Sequence, residues 1–157
     1  WVYGNAQVSG DAWVSGDARV SGDARVSGDA RVYGDARVYG NAQVSGNAQV
    51  SGNAQVSGDA WVYGNAVISN DALIKAGADF LTLGPAISSG RYTTAHYDAK
   101  IGIRVNCGGF SGTVGQFSRA ITKKHKSNPA ALLQYRGFVR LIKTHFQARE
   151  LTLEKQL

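Results

Sequence analysis

Residues 13–38 read WVSGDARVSGDARVSGDARVYGDARV, one hexapeptide written four times with a single exchange of Ser for Tyr. Outward from this stretch the same unit runs in both directions. A valine or isoleucine recurs at every sixth position from Val2 through Val62, Ile68 and Ile74, and an alanine stands four residues after each, from Ala6 to Ala78. Gly-Asp or Gly-Asn fills the places between them in every unit up to Asn65. A fixed period this short signals a repeat architecture. Six residues do not return to one face of a 3.6-residue helix, and a glycine in each unit would cost a helix roughly 1 kcal/mol. In a strand, by contrast, Ala-x-Val puts alanine and valine on one side and the variable residues on the other. Gly-[Asp/Asn] then supplies the corner, since glycine accepts positive φ and Asp or Asn bonds its own backbone there.

These units resemble the hexapeptide-repeat, left-handed parallel β-helix family, in which three units make one triangular coil. The resemblance covers about half the chain. It implies thirteen units, a little over four coils, stacked about 4.8 Å apart. Residues eighteen apart then form outward ladders: Trp1, Arg19, Arg37, Gln55 and Leu73; Trp13, Arg31, Gln49 and Val67; Gln7, Arg25, Gln43, Trp61 and Asp79. Trp1 over Arg19 and Trp13 over Arg31 are expected cation–π pairs. The faces read as solvated surfaces holding coil to coil, or as an arginine girdle for an acidic partner.

Enzymes sharing this fold leave a signature that is absent here. Hexapeptide acyltransferases use a histidine base and a loop interrupting the coils, and the β-helical carbonic anhydrases hold zinc with coil histidines. The first histidine of this chain is His96, and no unit carries an insertion. Ice-binding β-helices present threonine ladders, and calcium-binding Gly-Asp repeats run on a nine-residue period. The expectation is a non-catalytic protein with no cofactor and no metal.

Charge divides the chain. Residues 1–79 carry five basic groups against eight aspartates, a net of −3, whereas residues 80–157 carry twelve against three acids, a net of +9. An asymmetry of this kind points to an anionic partner for the second half. The repeat itself decays at its end, where outward positions become Val67 and Leu73 and the corners become Ser69-Asn70 and Lys75-Ala76. Exposed aliphatics there call for a cover, so the module of residues 80–157 is expected to cap the repeats of residues 1–79 over Val67, Leu73 and Phe80.

In that module Asp79–Gly84, Arg91–Tyr97 and Ile101–Cys107 read as strands, and 108–112 (GGFSG) as a turn. Thr113 with Gln116 is a capping box opening a helix, with Val114, Phe117, Ala120 and Ile121 inward. Asn128-Pro129 opens a second helix, with Leu132, Tyr135, Val139, Ile142 and Phe146 along one stripe and Arg136, Arg140 and Lys143 along another. The fold expected is mainly β: the β-helix followed by a small α+β module. Residues 80–147 resemble a C-terminal module that often follows hexapeptide repeats in proteins of phages and bacterial mobile elements. The resemblance rests on Gly102, Ile103, Val105, Cys107, Gly108, Phe110, Gly112 and Thr113, then Phe117, His125, Tyr135, Lys143 and Phe146. Gly109 stands where that module commonly has a second cysteine, which argues against a Cys-x-Cys metal site, and Gln116 stands in place of a glutamate. The resemblance carries no known biochemical role with it and allows an anti-defence or host-interaction role by analogy of fold alone.

His96, His125 and His145 lack metal-ligand spacing, and His125 ending a helix suits the helix dipole. Cys107 reads as a packed small hydrophobe, and the single cysteine fits a reducing compartment. The Ser88–Arg91 loop is a weak phosphate cradle. Candidate anion contacts are Arg91, Arg104, Lys123, Lys124, Arg136, Arg140 and Lys143, joined by Lys126, for nucleic acid, a nucleotide or an acidic protein. Candidate interface residues are Trp1, Trp13, Trp61, Val67, Leu73 and Phe80, for an expected homodimer or homotrimer built on the repeats; the alternative functions are a structural or oligomerisation protein and, behind it, a relative of the hexapeptide acyltransferases. No apolar run is long enough to span a bilayer. A cytoplasmic location in a bacterial or phage-infected cell is expected, with an export signal left open because the chain opens at Trp1 inside a repeat.

Overall fold

The structure, a computed structural model, describes residues 1–154; the expected module's last three residues, 155–157, lie outside the described residues. The repeat half is a parallel β-solenoid. Each unit contributes one two-residue strand, from β1 (Gln7–Val8) through β12 (Leu73–Ile74), and Val2 adds a bridge to Val20. Strands three units apart pair, giving three four-stranded faces ordered β1-β4-β7-β10, β2-β5-β8-β11 and β3-β6-β9-β12. The eighteen-residue register is therefore the one the sequence dictates: Trp13 lies beside Arg31, Arg31 beside Gln49, and Gln49 beside Val67.

Alternation in the unit sends every alanine from Ala18 to Ala72 and every aliphatic from Val20 to Ile74 into a fully buried core. Each valine so buried contributes roughly 1.5–3 kcal/mol against the chain entropy lost. The corners need glycine for two reasons, visible at Gly46: its φ is +67°, and an added Cβ would lie 3.1 Å from the backbone nitrogen of Gly64 in the next coil. At the first coil, Val2 and Val8 remain exposed.

After a 3-10 turn at Gly77–Asp79, four antiparallel strands follow in sheet order: β13 (Phe80–Leu83), β14 (Thr93–Asp98), β15 (Gly102–Cys107) and β16 (Phe110–Thr113). Helices α1 (Val114–Lys124) and α2 (Pro129–Glu154) follow. The capping box forms, with Gln116 N–H donating to Thr113 Oγ1 at 3.2 Å and Thr113 N–H to Gln116 Oε1 at 2.8 Å. Asn128 opens α2 by accepting the Ala131 N–H at 3.0 Å.

Three expectations are corrected. Residues 108–112 are not all turn: Phe110 begins β16 after a tight turn at Gly108-Gly109. Glycine at 112 obscured this; a Cβ there would stand 2.7 Å from Gln116 Oε1, the oxygen that accepts the Thr113 N–H. The strand expected at Arg91 begins at Thr93, leaving Arg91 and Tyr92 in a loop. Asp79 does not extend an outward ladder. It is buried, and its Oδ2 accepts the N–H groups of Lys75 at 2.7 Å and Ala76 at 3.0 Å.

The sheet lies between two partners. Ala95 and Val105 face the helices, in a core with Phe117, Ile121, Tyr135 and Ile142. The alternate residues Thr94, His96 and Asn106 face the end of the solenoid. Within the solenoid, strand groups bond to the next coil, as Gln49 N–H does to Ala66 O at 2.9 Å and Ser51 N–H to Ile68 O at 3.0 Å. At β11 (Val67–Ile68), side chains of the cap take the next coil's place. Val67 N–H donates to Thr94 Oγ1 at 3.1 Å, Ser69 N–H to His96 Nε2 at 3.4 Å, and Val67 O accepts from Asn106 Nδ2 at 3.0 Å. Bare strand edges invite pairing with another chain, and this cap removes that edge without a further coil.

Candidate anion-binding site

Ten of the twelve basic residues after Asp79 fall into three groups. In the first, each cation is taken by an acid. Arg104 Nε donates to Asp98 Oδ2 at 2.7 Å and its Nη1 to Ser111 Oγ at 3.2 Å, so this expected anion contact is spent inside the sheet. Burial raises the Asp98 carboxyl pKa, but Arg104 and the N–H groups of Lys100 and Ile101 outweigh it and leave it below the usual value. Lys100 Nζ meets Asp71 at 3.0 Å, and that bond lowers the Asp71 pKa. Arg149 Nε donates to Asp79 Oδ1 at 2.6 Å and its guanidinium lies over the Tyr97 ring at 5.0 Å. Asp71, Asp79 and Asp98 are thus consumed in holding the cap to the solenoid and the sheet to itself.

The second group lies on α2. Arg136, Arg140 and Lys143 are exposed, and spacings of four and three residues put them on one face over about 10 Å of helix. None of the three makes an ion pair among the described residues. The opposite stripe expected at Tyr135, Val139, Ile142 and Phe146 is buried, with Leu132 half-buried. Lys143 borders a shallow groove with Ile103, Phe146 and Glu150.

The third group gathers where α1 ends. Lys123, Lys124 and Lys126 are exposed there, and the first two occupy the last helical turn, where the helix dipole favours cations. Lys124 and Arg91, 33 positions apart in the chain, line one cavity. The Ser88–Arg91 loop is committed structurally, with Ser89 Oγ 2.9 Å from the Tyr135 hydroxyl.

The candidate interface residues also divide. Trp1, Trp13 and Trp61 are more than half exposed, whereas Val67 and Leu73 are half-buried and Phe80 is buried in the solenoid core. The expected stacking of Trp1 on Arg19 and Trp13 on Arg31 does not reach cation–π geometry; among the described residues that contact is Arg149 over Tyr97. His125 caps α1 through its N–H to Ile121 O at 2.9 Å, as the helix-end reading requires. His145 instead contacts Ala78 O at 3.0 Å.

His96 is the residue whose use was not read from sequence. It is fully buried, and burial drives its pKa down from 6.5 to about 4. A neutral ring fits its neighbours: Nδ1–H faces the Tyr97 carbonyl at 3.2 Å, leaving Nε2 to accept from Ser69 N–H and Asn106 Nδ2. A polar residue in the middle of a strand buried on both faces was the available signal.

Among the described residues no three His, Cys, Asp or Glu side chains gather as a metal-binding group, and no helix is long and apolar enough to cross a membrane.

Fold and surface together define a parallel β-solenoid repeat protein whose last coil is closed by an antiparallel sheet and two helices. A family model described as the YdcK beta solenoid repeat matches residues 2–16, 18–32, 30–46, 42–58, 48–64 and 54–70, all within the solenoid. No curated protein and no solved structure matches the chain.

Proposed function

We propose that this is a non-catalytic binding protein in which the solenoid is a rigid support and α2 presents Arg136, Arg140 and Lys143 to the phosphates of a nucleic acid. The observation that carries this reading is charge without compensation. Asp71, Asp98 and Asp79 are already paired with Lys100, Arg104 and Arg149, while the α2 cations stand exposed on one face and make no ion pair among the described residues, Glu150 bordering the groove beside Lys143. Unpaired cations at helical spacing attract a polyanion with an affinity that falls as salt rises. The resemblance of residues 80–147 to modules of phages and mobile elements supports a setting in phage–host conflict. Electrophoretic mobility shifts with DNA, RNA and mononucleotides at two salt concentrations test the reading. Retardation of a nucleic acid that weakens at the higher salt is the expected result, and none at either concentration refutes it.

A second reading, a structural protein that self-associates through its repeats, is supported by the exposed Trp1, Trp13 and Trp61. Sedimentation of a clean monomer at micromolar concentration would exclude it.

A further inference from the structure

The cavity between α1, α2 and the turn joining β15 to β16 has a composition distinct from the open face of α2. Its volume is about 60 Å³. That is several times the ~10–15 Å³ a single water needs and well short of the ~150 Å³ that admits a benzene ring. The space suits a chain of a few carbon atoms. Its walls are apolar, made by Phe110, Phe117 and Ile121, with Phe110 and Phe117 tilted against each other at 5.3 Å. Its remaining lining includes two cations, Arg91 and Lys124.

The loop that carries Arg91 and the end of α1 that carries Lys124 are both held against α2. The loop bearing Arg91 is pinned to α2 twice, by Ser89 Oγ to the Tyr135 hydroxyl at 2.9 Å and by Ile87 N–H to Gln134 Oε1 at 2.8 Å. The Arg91 guanidinium then lies across Gly108, so close that a Cβ there would sit 2.8 Å from Nη1. Lys124 stands in the last turn of α1, next to His125, which stacks on the Tyr135 ring with centroids 5.1 Å apart. Neither cation makes an ion pair among the described residues. An apolar recess lined also by two unpaired cations is complementary to one chemical type.

We propose that this cavity binds a small amphiphilic anion, a carboxylate or phosphate ester whose apolar body has a few carbon atoms, with its head between Arg91 and Lys124 and its tail against Phe110, Phe117 and Ile121. The site is separate from the polyanion face on α2, so charge reversal at Arg136 and Arg140 leaves it intact and the two readings fail independently.

Cys107 lines the same cavity and is the only cysteine in the chain, which makes it a built-in reporter. The experiment follows alkylation of Cys107 by neutral iodoacetamide in the full chain, with butyrate, butyl phosphate or neutral butyramide added. An occupied cavity shields the thiol, and the rate falls by a factor of 1 + [L]/Kd, about tenfold at ten times Kd. The expected result is slowing by butyrate, butyl phosphate or both, none by butyramide, and loss of the effect in Arg91→Ala and Lys124→Ala, which keep the native circular dichroism. The more protective anion identifies the preferred head group. No protection by either anion, equal protection by butyramide, or undiminished protection in both variants overturns the proposal. If Cys107 proves inert to the reagent, saturation-transfer NMR of butyrate against the native chain and the Arg91→Ala variant decides in the same way: transfer lost in the variant supports the site, and no transfer or equal transfer overturns it.

Discussion

Arg149 and Asp79, seventy residues apart, join the far part of α2 to the end of the solenoid: Arg149 Nε donates to Asp79 Oδ1 at 2.6 Å while the other carboxylate oxygen caps the N–H groups of Lys75 and Ala76. The acid has three partners and the arginine contributes one of them, so the two positions should not be equivalent. Asp79→Ala leaves a partly buried cation and two backbone donors without their acceptor, and is expected to cost about 3 kcal/mol or more. Arg149→Met keeps the backbone caps and much of the packing on Tyr97 and should cost clearly less. Urea unfolding of the two variants checks the order, and equal losses would count against this role for Asp79.

His96 makes the cap sensitive to acid. Its folded pKa of about 4 lies below the 6.5 of an exposed histidine, so the unfolded chain binds more protons between these values and stability rises with pH across that window. The contribution is fully present above about pH 6.5 and is lost as pH falls toward 4, up to about 3 kcal/mol in all. Asp98 and Arg104 bear on the ring with opposite effects. The lowered carboxyls of Asp98 and Asp71 add their own losses only at still lower pH. His96→Gln, which keeps an acceptor but does not titrate, should flatten the dependence of unfolding free energy between pH 6.5 and 4. An unchanged slope in the variant would show that the histidine is not its source.

Two adjacent threonines on β14 give a contrast within one strand. Thr94 Oγ1 accepts Val67 N–H at 3.1 Å and lies 3.1 Å from Thr82 Oγ1. Thr93 Oγ1 is buried with no hydrogen-bond partner among the described residues. Thr94→Val should therefore destabilise by about 1–3 kcal/mol, because it strands a buried backbone donor, whereas Thr93→Val should be neutral or stabilising. Thermal unfolding of both variants tests the assignment, and the opposite order would refute it.

The solenoid was legible because its information is periodic. Once Val and Ala were read as strand positions, a three-unit coil fixed every ladder, and Arg19 beside Arg37 or Gln7 beside Arg25 follows without further input. The capping box at Thr113 and the buried stripe of α2 were legible for the same reason, since each is a short-range pattern. What escaped depended on contacts between distant segments. Nothing local states that Thr94, His96 and Asn106 stand in for a missing coil, or that Arg104 is taken by Asp98, because which face of β14 meets β11 is decided by tertiary packing. Asp79 misled for a related reason: it continued the six-residue count one unit beyond the point where the chain had left the coil. Among the expected anion contacts, only packing separates Arg91 and Lys124, which line one cavity, from the open face of α2.

The most direct test of the account is the salt dependence of duplex DNA binding by the native chain and by the Arg136→Glu/Arg140→Glu variant. Each phosphate neutralised contributes about −0.9 to the slope of log Kobs against log salt, so contacts from Arg136, Arg140 and Lys143 predict a slope of about −3 for the native chain. The variant should lose measurable binding while its circular dichroism and unfolding midpoint remain native, since both side chains are exposed and unpaired. Native-like binding by the variant, or binding indifferent to salt, would contradict the claim that α2 is the face through which this protein meets its partner.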